Sequence, residues 1–304
     1  MTAVEPVAGR GFPFFLPAQA GQRLCIYHAA RGIALNEAIL YVHPFGDEMH
    51  KSRRMAAVQA RMLARSGVAV LQIDLHGCGD SSGDFAEARW DTWLDDLALA
   101  HAWLAHATRM PVSLWGLRLG ALLALDYARA AVLPVGRFIF WQPVLNGNTF
   151  MTQFLRLRLA GEMIGATRVT ADGIHNNRSD TVAPLTSMHP RSGTKGLREA
   201  LRLGQGLEVA GYELTPAMAD AVDAVDARML APGQAQPVEW FEINASPDRL
   251  VHPASMHVIE AWQRAGVPVQ ACCVTGPAFW KSQEIVECMP LLVATTQAIC
   301  QRRP

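Results

Sequence analysis

Residues 113–128 read SLWGLRLGALLALDYA, and this stretch decides the fold. Val112–Trp115 is a short apolar run of strand type, and Leu119–Arg129 has the composition of a helix. Only Gly116-Leu117-Arg118-Leu119-Gly120 spans the change, which leaves no room for a loop. A strand that passes straight into a helix needs a tight turn. Two glycines four residues apart let that turn form without side-chain clashes. The middle residue is then thrust out over the end of the sheet, and in this chain it is Arg118.

Outward from this turn the chain alternates. Ala38–His43, Val68–Asp74, Phe138–Gln142, Val238–Asn244 and Val267–Val274 read as buried strands. Ser52–Arg65, Trp90–His106, Ala254–Arg264 and Ile285–Cys300 read as helices, the second with Asp91, Asp95 and Asp96 near its start, where the helix dipole favours acid. Phe12–Leu16 and Arg23–Tyr27 flank a Pro/Gly-containing turn and read as an antiparallel hairpin. Alternation of this kind predicts an α/β fold, a mostly parallel sheet covered by helices on both faces. It stops between residues 146 and 236, where the apolar segments are short and mixed and no clear strand is visible. That segment reads as an inserted cap, leaving 1–145 and 237–304 as the core. Within it Phe150–Ile164, FMTQFLRLRLAGEMI, carries Arg156 and Arg158 among apolar residues. It reads as a helix, either packed on the core as a lid or turned to a membrane surface.

Composition narrows the function. With 304 residues, 50% hydrophobic and 18% charged, one sizeable core is expected. Lys+Arg and Asp+Glu both number 27, so no global field draws the chain to nucleic acid or an anionic membrane. Apolar runs are broken before the roughly 18 residues a membrane span needs. Met1–Arg10 lacks the basic start and apolar centre of a secretory signal, which predicts a cytoplasmic protein. Of the six cysteines, Cys25, Cys272 and Cys273 lie in strand-like runs and none forms a CxxC pair, so reduced thiols are expected. No Walker loop, dinucleotide fingerprint or metal-ligand cluster is visible, so no cofactor and no metal are expected.

Further landmarks fall in chain order. Gly116–Gly120 has the frame of a G-x-S-x-G nucleophile elbow. Tyr41–Phe45 ends a strand where a hydrolase places its oxyanion loop. Asp74–Gly83, DLHGCGDSSG, resembles the D-x-x-G-x-G-x-S-x-G signature of many α/β-hydrolases, and Ser246–Val251 follows a late strand where the triad acid sits, which marks Asp248. The whole resembles an α/β-hydrolase with an inserted cap. The segments HPFGDEMHKSRRMAA, LQIDLHGCGDSSGDF, WGLRLGALLALD, WQPVLNGNTFMTQFLRLRLA and GPAFWKSQEI resemble the exosortase A system-associated hydrolase 2 family. That resemblance implies a Gram-negative bacterium with an exopolysaccharide and protein-sorting gene cluster. It implies the name hydrolase, with no substrate attached.

The departures carry more chemistry than the matches. A guanidinium has a pKa above ~12 and is a pure donor, so Arg118 cannot serve as a nucleophile. The loop after the last strand, where a hydrolase keeps its histidine, reads Gly276-Pro277-Ala278-Phe279-Trp280-Lys281, and no histidine follows His257. Of the triad positions only the acid, Asp248, is kept. This predicts an Arg118–Asp248 pair with Trp280 filling the histidine's volume, unless Asp248 is a surface turn residue. The backbone N–H groups of Phe45 and Leu119 occupy oxyanion-donor positions and do not depend on side chains, which points to an acyl or anionic ligand. His43 is expected to order the oxyanion loop. A second literal G-x-S-x-G, Gly79–Gly83, is not followed by a helix, so Ser81 reads as a loop hydrogen-bonder, with an alternative as nucleophile. Cys78, with His76 and His43 near in sequence or topology, is the other alternative nucleophile. His252 and His257 read as surface or capping residues. Lys51, Arg53 and Arg54 cluster at a helix start, where the dipole does not favour them, and either face solvent or hold an anion. Three functions compete: a non-catalytic binder of an acyl or anionic group, an active ester or thioester hydrolase, and a scaffold whose cap binds a pathway protein.

Overall fold

A computed structural model describes residues 11–172, 193–246 and 250–300, with backbone alone for 163–172. The strands are β1 (Phe12–Pro17), β2 (Gln22–His28), β3 (Ala38–Val42), β4 (Ala69–Ile73), β5 (Val112–Leu117), β6 (Val135–Trp141), β7 (Leu207–Val209), β8 (Tyr212–Leu214), β9 (Val238–Asn244) and β10 (Val269–Thr275). The helices are α1 (Asp47–Arg65), α2 (Trp90–Thr108), α3 (Leu119–Ala130), α4 (Gly147–Asp172), α5 (Gly193–Arg202), α6 (Pro216–Ala224), α7 (Pro253–Arg264) and α8 (Met289–Cys300).

Eight strands form one sheet in the order β1-β2-β4-β3-β5-β6-β9-β10. β2 runs antiparallel to both β1 and β4, and every pairing from β4 to β10 is parallel. The predicted opening hairpin and parallel sheet are therefore present. All residues of the central strands β3 and β5 are buried, as strands covered on both faces must be. On one face Ile39, Tyr41, Trp115 and Trp141 of the sheet pack with Met55 and Leu63 of α1 and Leu291 and Leu292 of α8. On the other, α2 and α3 contact each other and the strands β3 and β5.

The chain divides into two compact units, residues 1–147 with 225–304, and residues 148–224. The second unit lies within the 146–236 segment that the sequence marks as an insert. Residues 225–236 belong with the first unit because Ala227 is tied there: its N–H donates to Leu145 O (2.8 Å) and its carbonyl accepts from Trp262 Nε1 (3.1 Å). In the second unit Arg198 pairs with Asp223 and donates to Asn148 O (2.9 Å) and Thr152 Oγ1 (2.8 Å), which fastens α5 to α4 and α6. The sequence predicts no strand there, yet β7 and β8 form a two-stranded hairpin. Its turn is Ala210-Gly211, both at positive φ (51° and 83°), as a type I′ hairpin turn requires. Among the described residues no helix is long and apolar enough to cross a membrane.

α1 begins at Asp47 rather than the expected Ser52. Asp47 and Glu48 occupy its first turn, where carboxylates meet the positive end of the dipole. The basic cluster therefore lies inside the helix, each member with a carboxylate: Lys51 with Asp47 (2.6 Å), Arg53 with Asp74 (2.7 Å) and Arg54 with Glu287 (2.5 Å).

Candidate functional site

The strand-to-helix turn is as tight as its sequence requires. A Cβ on Gly116 would lie 2.5 Å from the Cα of Ala121, and one on Gly120 would lie 2.6 Å from the His43 carbonyl oxygen and closer still to that of Val42. Only glycine lets α3 start this near β5 and β3. Between them Arg118 is forced to φ 55° and ψ −120°, a left-handed backbone that a side chain tolerates only under constraint. The constraint is hydrogen bonding: Arg118 N donates to Trp141 O (3.0 Å), and Arg118 O accepts from Ala121 N and Val144 N (both 3.1 Å). The elbow is built, with arginine at its tip.

The guanidinium has three neighbours. Its Nε lies 3.3 Å from both carboxylate oxygens of Glu48, and Nη1 donates to the Gln142 carbonyl at 3.4 Å. Its Cζ sits 5.5 Å from the centroid of the Trp280 ring, a cation–π geometry. Gln142 is itself at positive φ (43°), fixed by its N–H to Phe241 O (2.7 Å) and by Ile243 N to its side-chain oxygen (2.8 Å). Burial pushes the Glu48 carboxyl above the usual carboxylate range, and Arg118, then Lys281 and Lys51, pull it back.

Among the described residues Glu48 is the carboxylate found on Arg118. Asp248 lies outside the described residues. Glu48 went unnoticed because an acid in the first turn of a helix already has a sufficient reason to be there. Its one distinguishing signal is its place five residues beyond His43, on the helix that follows the oxyanion loop. Trp280 is buried beside Arg118, and its Nε1 finds no partner among the described residues.

His43 stands just beyond β3, where the sequence predicts a residue that orders the loop. Its Nδ1 meets Pro44 O at 2.8 Å and its Nε2 meets the Leu75 N–H at 3.2 Å. The second contact makes Nε2 an acceptor, so Nδ1 carries the proton and both nitrogens are spent on the loop. Burial holds its pKa below the usual histidine value, which keeps the ring neutral. The ordering role is what this geometry serves, and no ring nitrogen remains for a ligand. Phe45 follows β3 with its ring edge-on to Phe85 (5.1 Å) and Trp93 (5.8 Å), and Leu119 is the first residue of α3. The close approach of Gly120 to His43 brings those two backbone segments side by side.

The alternative nucleophiles are occupied or muted. Ser81 Oγ donates to Asp74 O (2.5 Å) and accepts from Leu24 N (2.9 Å), binding its loop to β2 and the end of β4. Cys78 is buried, and burial followed by the charges of Asp74 and Asp96 raises its pKa far above the usual thiol value, the opposite of an activated thiolate. His252 caps α7, its Nδ1 accepting from Ala254 N at 3.2 Å. Among the described residues no group of His, Cys, Asp or Glu could hold a metal ion.

Accessibility makes a test of the thiols. Cys272 is exposed whereas Cys25, Cys78 and Cys288 are buried. In a time course with a chromogenic disulfide reagent, Cys272 is expected to react in the native protein and those three only on unfolding. Rapid native labelling of Cys78, located by peptide mapping, would contradict the loop geometry described above.

Comparison with known proteins agrees with the architecture. Protein ABHD12B of Homo sapiens is 27% identical over 162 residues, covering 52% of this chain and 43% of the relative, so the match spans under half of that relative's length. The ferulic acid complex of Est1E from Butyrivibrio proteoclasticus superposes with a TM-score of 0.58 at 14% identity, covering 95% of this chain and 96% of the other. A soluble variant of the monoglyceride lipase from Saccharomyces cerevisiae gives 0.56 at 14% identity, covering 98% and 97%. At such identities the likeness is one of fold, that of the α/β-hydrolases. The family model Hydrolase_4, described as serine aminopeptidase, S33, matches residues 35–230, which include β3, the strand-to-helix turn at Arg118 and the second unit, and the chain belongs to that family.

Proposed function

We propose that this chain is a member of its family that binds an acyl or anionic group at the Arg118 elbow and does not hydrolyse it. One observation carries the reading: the tip of the elbow is a guanidinium, seated on Glu48 and over Trp280. Hydrolysis by this fold needs a nucleophile at the tip and a base opposite it. In subtilisin, whose figures are measured ones, loss of the Ser or the His alone costs roughly a million-fold in turnover. Asp248 would be the surviving acid, and Trp280 would fill the place of the histidine. The backbone donors of Phe45 and Leu119 would remain as the oxyanion-type pair. The resemblance to exosortase A system-associated hydrolase 2 proteins extends the proposal to a role beside bacterial exopolysaccharide export and protein sorting, with a pathway protein as a further partner.

The competing reading, an ester or thioester hydrolase with a displaced nucleophile, draws support from the family itself. A chain-length series of p-nitrophenyl esters separates the two. The wild type is expected to show no turnover above the buffer rate. Binding of methyl hexanoate, followed through tryptophan fluorescence, is expected to weaken at least tenfold in Arg118→Gln. Clear turnover that disappears in Ser81→Ala or Cys78→Ala would overturn the proposal.

A further inference from the structure

The elbow carries its own counter-ion, and that limits what it can accept. Glu48 holds the Nε edge of Arg118, Gln142 O takes Nη1, and Trp280 covers one face. The two side chains are largely enclosed, at 12% exposure for Arg118 and 19% for Glu48, so solvent screens the pair only weakly. What remains of the guanidinium is a single N–H edge on a group whose charge is already balanced.

We infer that Glu48 selects the ligand by charge: while its carboxylate is ionised the site takes the uncharged carbonyl oxygen of an acyl group, and a free anion enters only when Glu48 is protonated or replaced. The inference rests on the reading of Arg118 as the binding group. An incoming carboxylate or sulfonate would sit beside Glu48 and be repelled by it, in a place where water is scarce. An ester or amide carbonyl needs only one donor and brings no charge. The charged groups facing Glu48 are Arg118 at the start of α3, Lys281 in the loop after β10 and Lys51 on α1 itself, the last shared with Asp47. The uncharged Gln142 carbonyl and the Trp280 ring meet the Arg118 side of the pair.

Burial raises the Glu48 pKa, so protonation is brought nearer to neutral pH than for a free carboxyl. Anion affinity should then rise as pH falls through that value. Two probes distinguish the cases: hexanesulfonate, an anion at every pH used, and methyl hexanoate, never charged. Binding of each is measured by tryptophan fluorescence and calorimetry from pH 8 to pH 5 in the wild type, Glu48→Gln and Arg118→Gln. The wild-type Kd for hexanesulfonate should tighten at least tenfold toward pH 5. In Glu48→Gln it should be tight and flat across the range, and methyl hexanoate should show no slope in either protein. Equal Kd values and slopes in the wild type and Glu48→Gln, with binding lost in Arg118→Gln, would overturn the role of Glu48 alone. Unchanged hexanesulfonate binding in Arg118→Gln would overturn the elbow as binding site. Should Glu48→Gln fail to fold, a flat wild-type profile for hexanesulfonate overturns the inference by itself.

Discussion

Replacing Gly120 with alanine is expected to destabilise the protein by about 3–5 kcal/mol, above the usual cost of overpacking because backbone has to move. The added Cβ would stand 2.6 Å from the His43 carbonyl oxygen and nearer to that of Val42. Both are backbone atoms of the fully buried strand β3 and its end, hydrogen-bonded on either side through β4 and β5, so neither can rotate away as a side chain would. α3 must then shift off the sheet, and it carries Leu119 and the Arg118 turn with it. For a chain of this size the loss corresponds to a fall in Tm of roughly 6–20 °C. Alanine at exposed Gly161, where nothing lies within 4 Å of the added Cβ and the site is helical, is the control and should stabilise slightly. A Gly120→Ala variant that melts within two degrees of the wild type would mean that the elbow is looser than its geometry states.

That glycine shows why the architecture could be read from the sequence. Gly116 and Gly120 bracket a turn with no spare residues, with an apolar run of strand type on one side and a run of helical composition on the other. The same holds for β3, whose five residues are all apolar and all buried. Local chemistry fixes these elements, so a local reading finds them. The β7–β8 hairpin escaped because its strands are three residues each and its turn is Ala-Gly, where Asn-Gly or Asp-Gly would have signalled positive φ at both positions. α1 was started too late because Asp47 and Glu48 look like loop polar residues until the helix dipole gives them a reason.

The candidate site was half legible for a related reason. Which residue stands at the tip of the elbow is a question of sequence order, and Arg118 could be named. What neutralises it is a question of three-dimensional proximity. Glu48 lies 70 positions away in sequence, and no spacing rule connects it to Arg118. Chain order points to Asp248, because triad acids follow that strand. A guanidinium is long enough to choose among several carboxylates, and the start of α1 offers one that is already turned inward. The same blindness to proximity affected Lys51, Arg53 and Arg54, which look like a free basic cluster until Asp47, Asp74 and Glu287 are seen beside them.

Asp96→Ala is expected to cost about 3–5 kcal/mol, because it leaves the Arg23 guanidinium buried without its carboxylate. Arg23 and Asp96 pair at 2.6 Å with side chains only 1% and 3% exposed, joining β2 to α2 through the interior. Asp96 also accepts the His76 N–H at 2.7 Å, and Arg23 also donates to Ala20 O at 2.7 Å. Burial raises the Asp96 pKa, against the pull of the His76 N–H and Arg23. A carboxyl whose folded value is raised contributes its stability below the unfolded value and loses it as pH rises through the folded one. Ionised Asp96 is thus no source of net stability at neutral pH. It is required because Arg23 is there. The double variant Arg23→Met, Asp96→Leu should consequently recover most of the loss, short by about 1–3 kcal/mol for the orphaned His76 N–H. Urea midpoints at unchanged m-value give both numbers, and a coupling energy below ~0.5 kcal/mol would refute the pairing. The pair bears on function as well. Asp96 holds His76 N, and the same loop carries Cys78 and Ser81, the two side chains that the hydrolase reading would need. If ester turnover is absent from both the wild type and the Asp96→Ala variant, neither side chain is a nucleophile held back by this anchor, which is the outcome a binding role for the elbow requires.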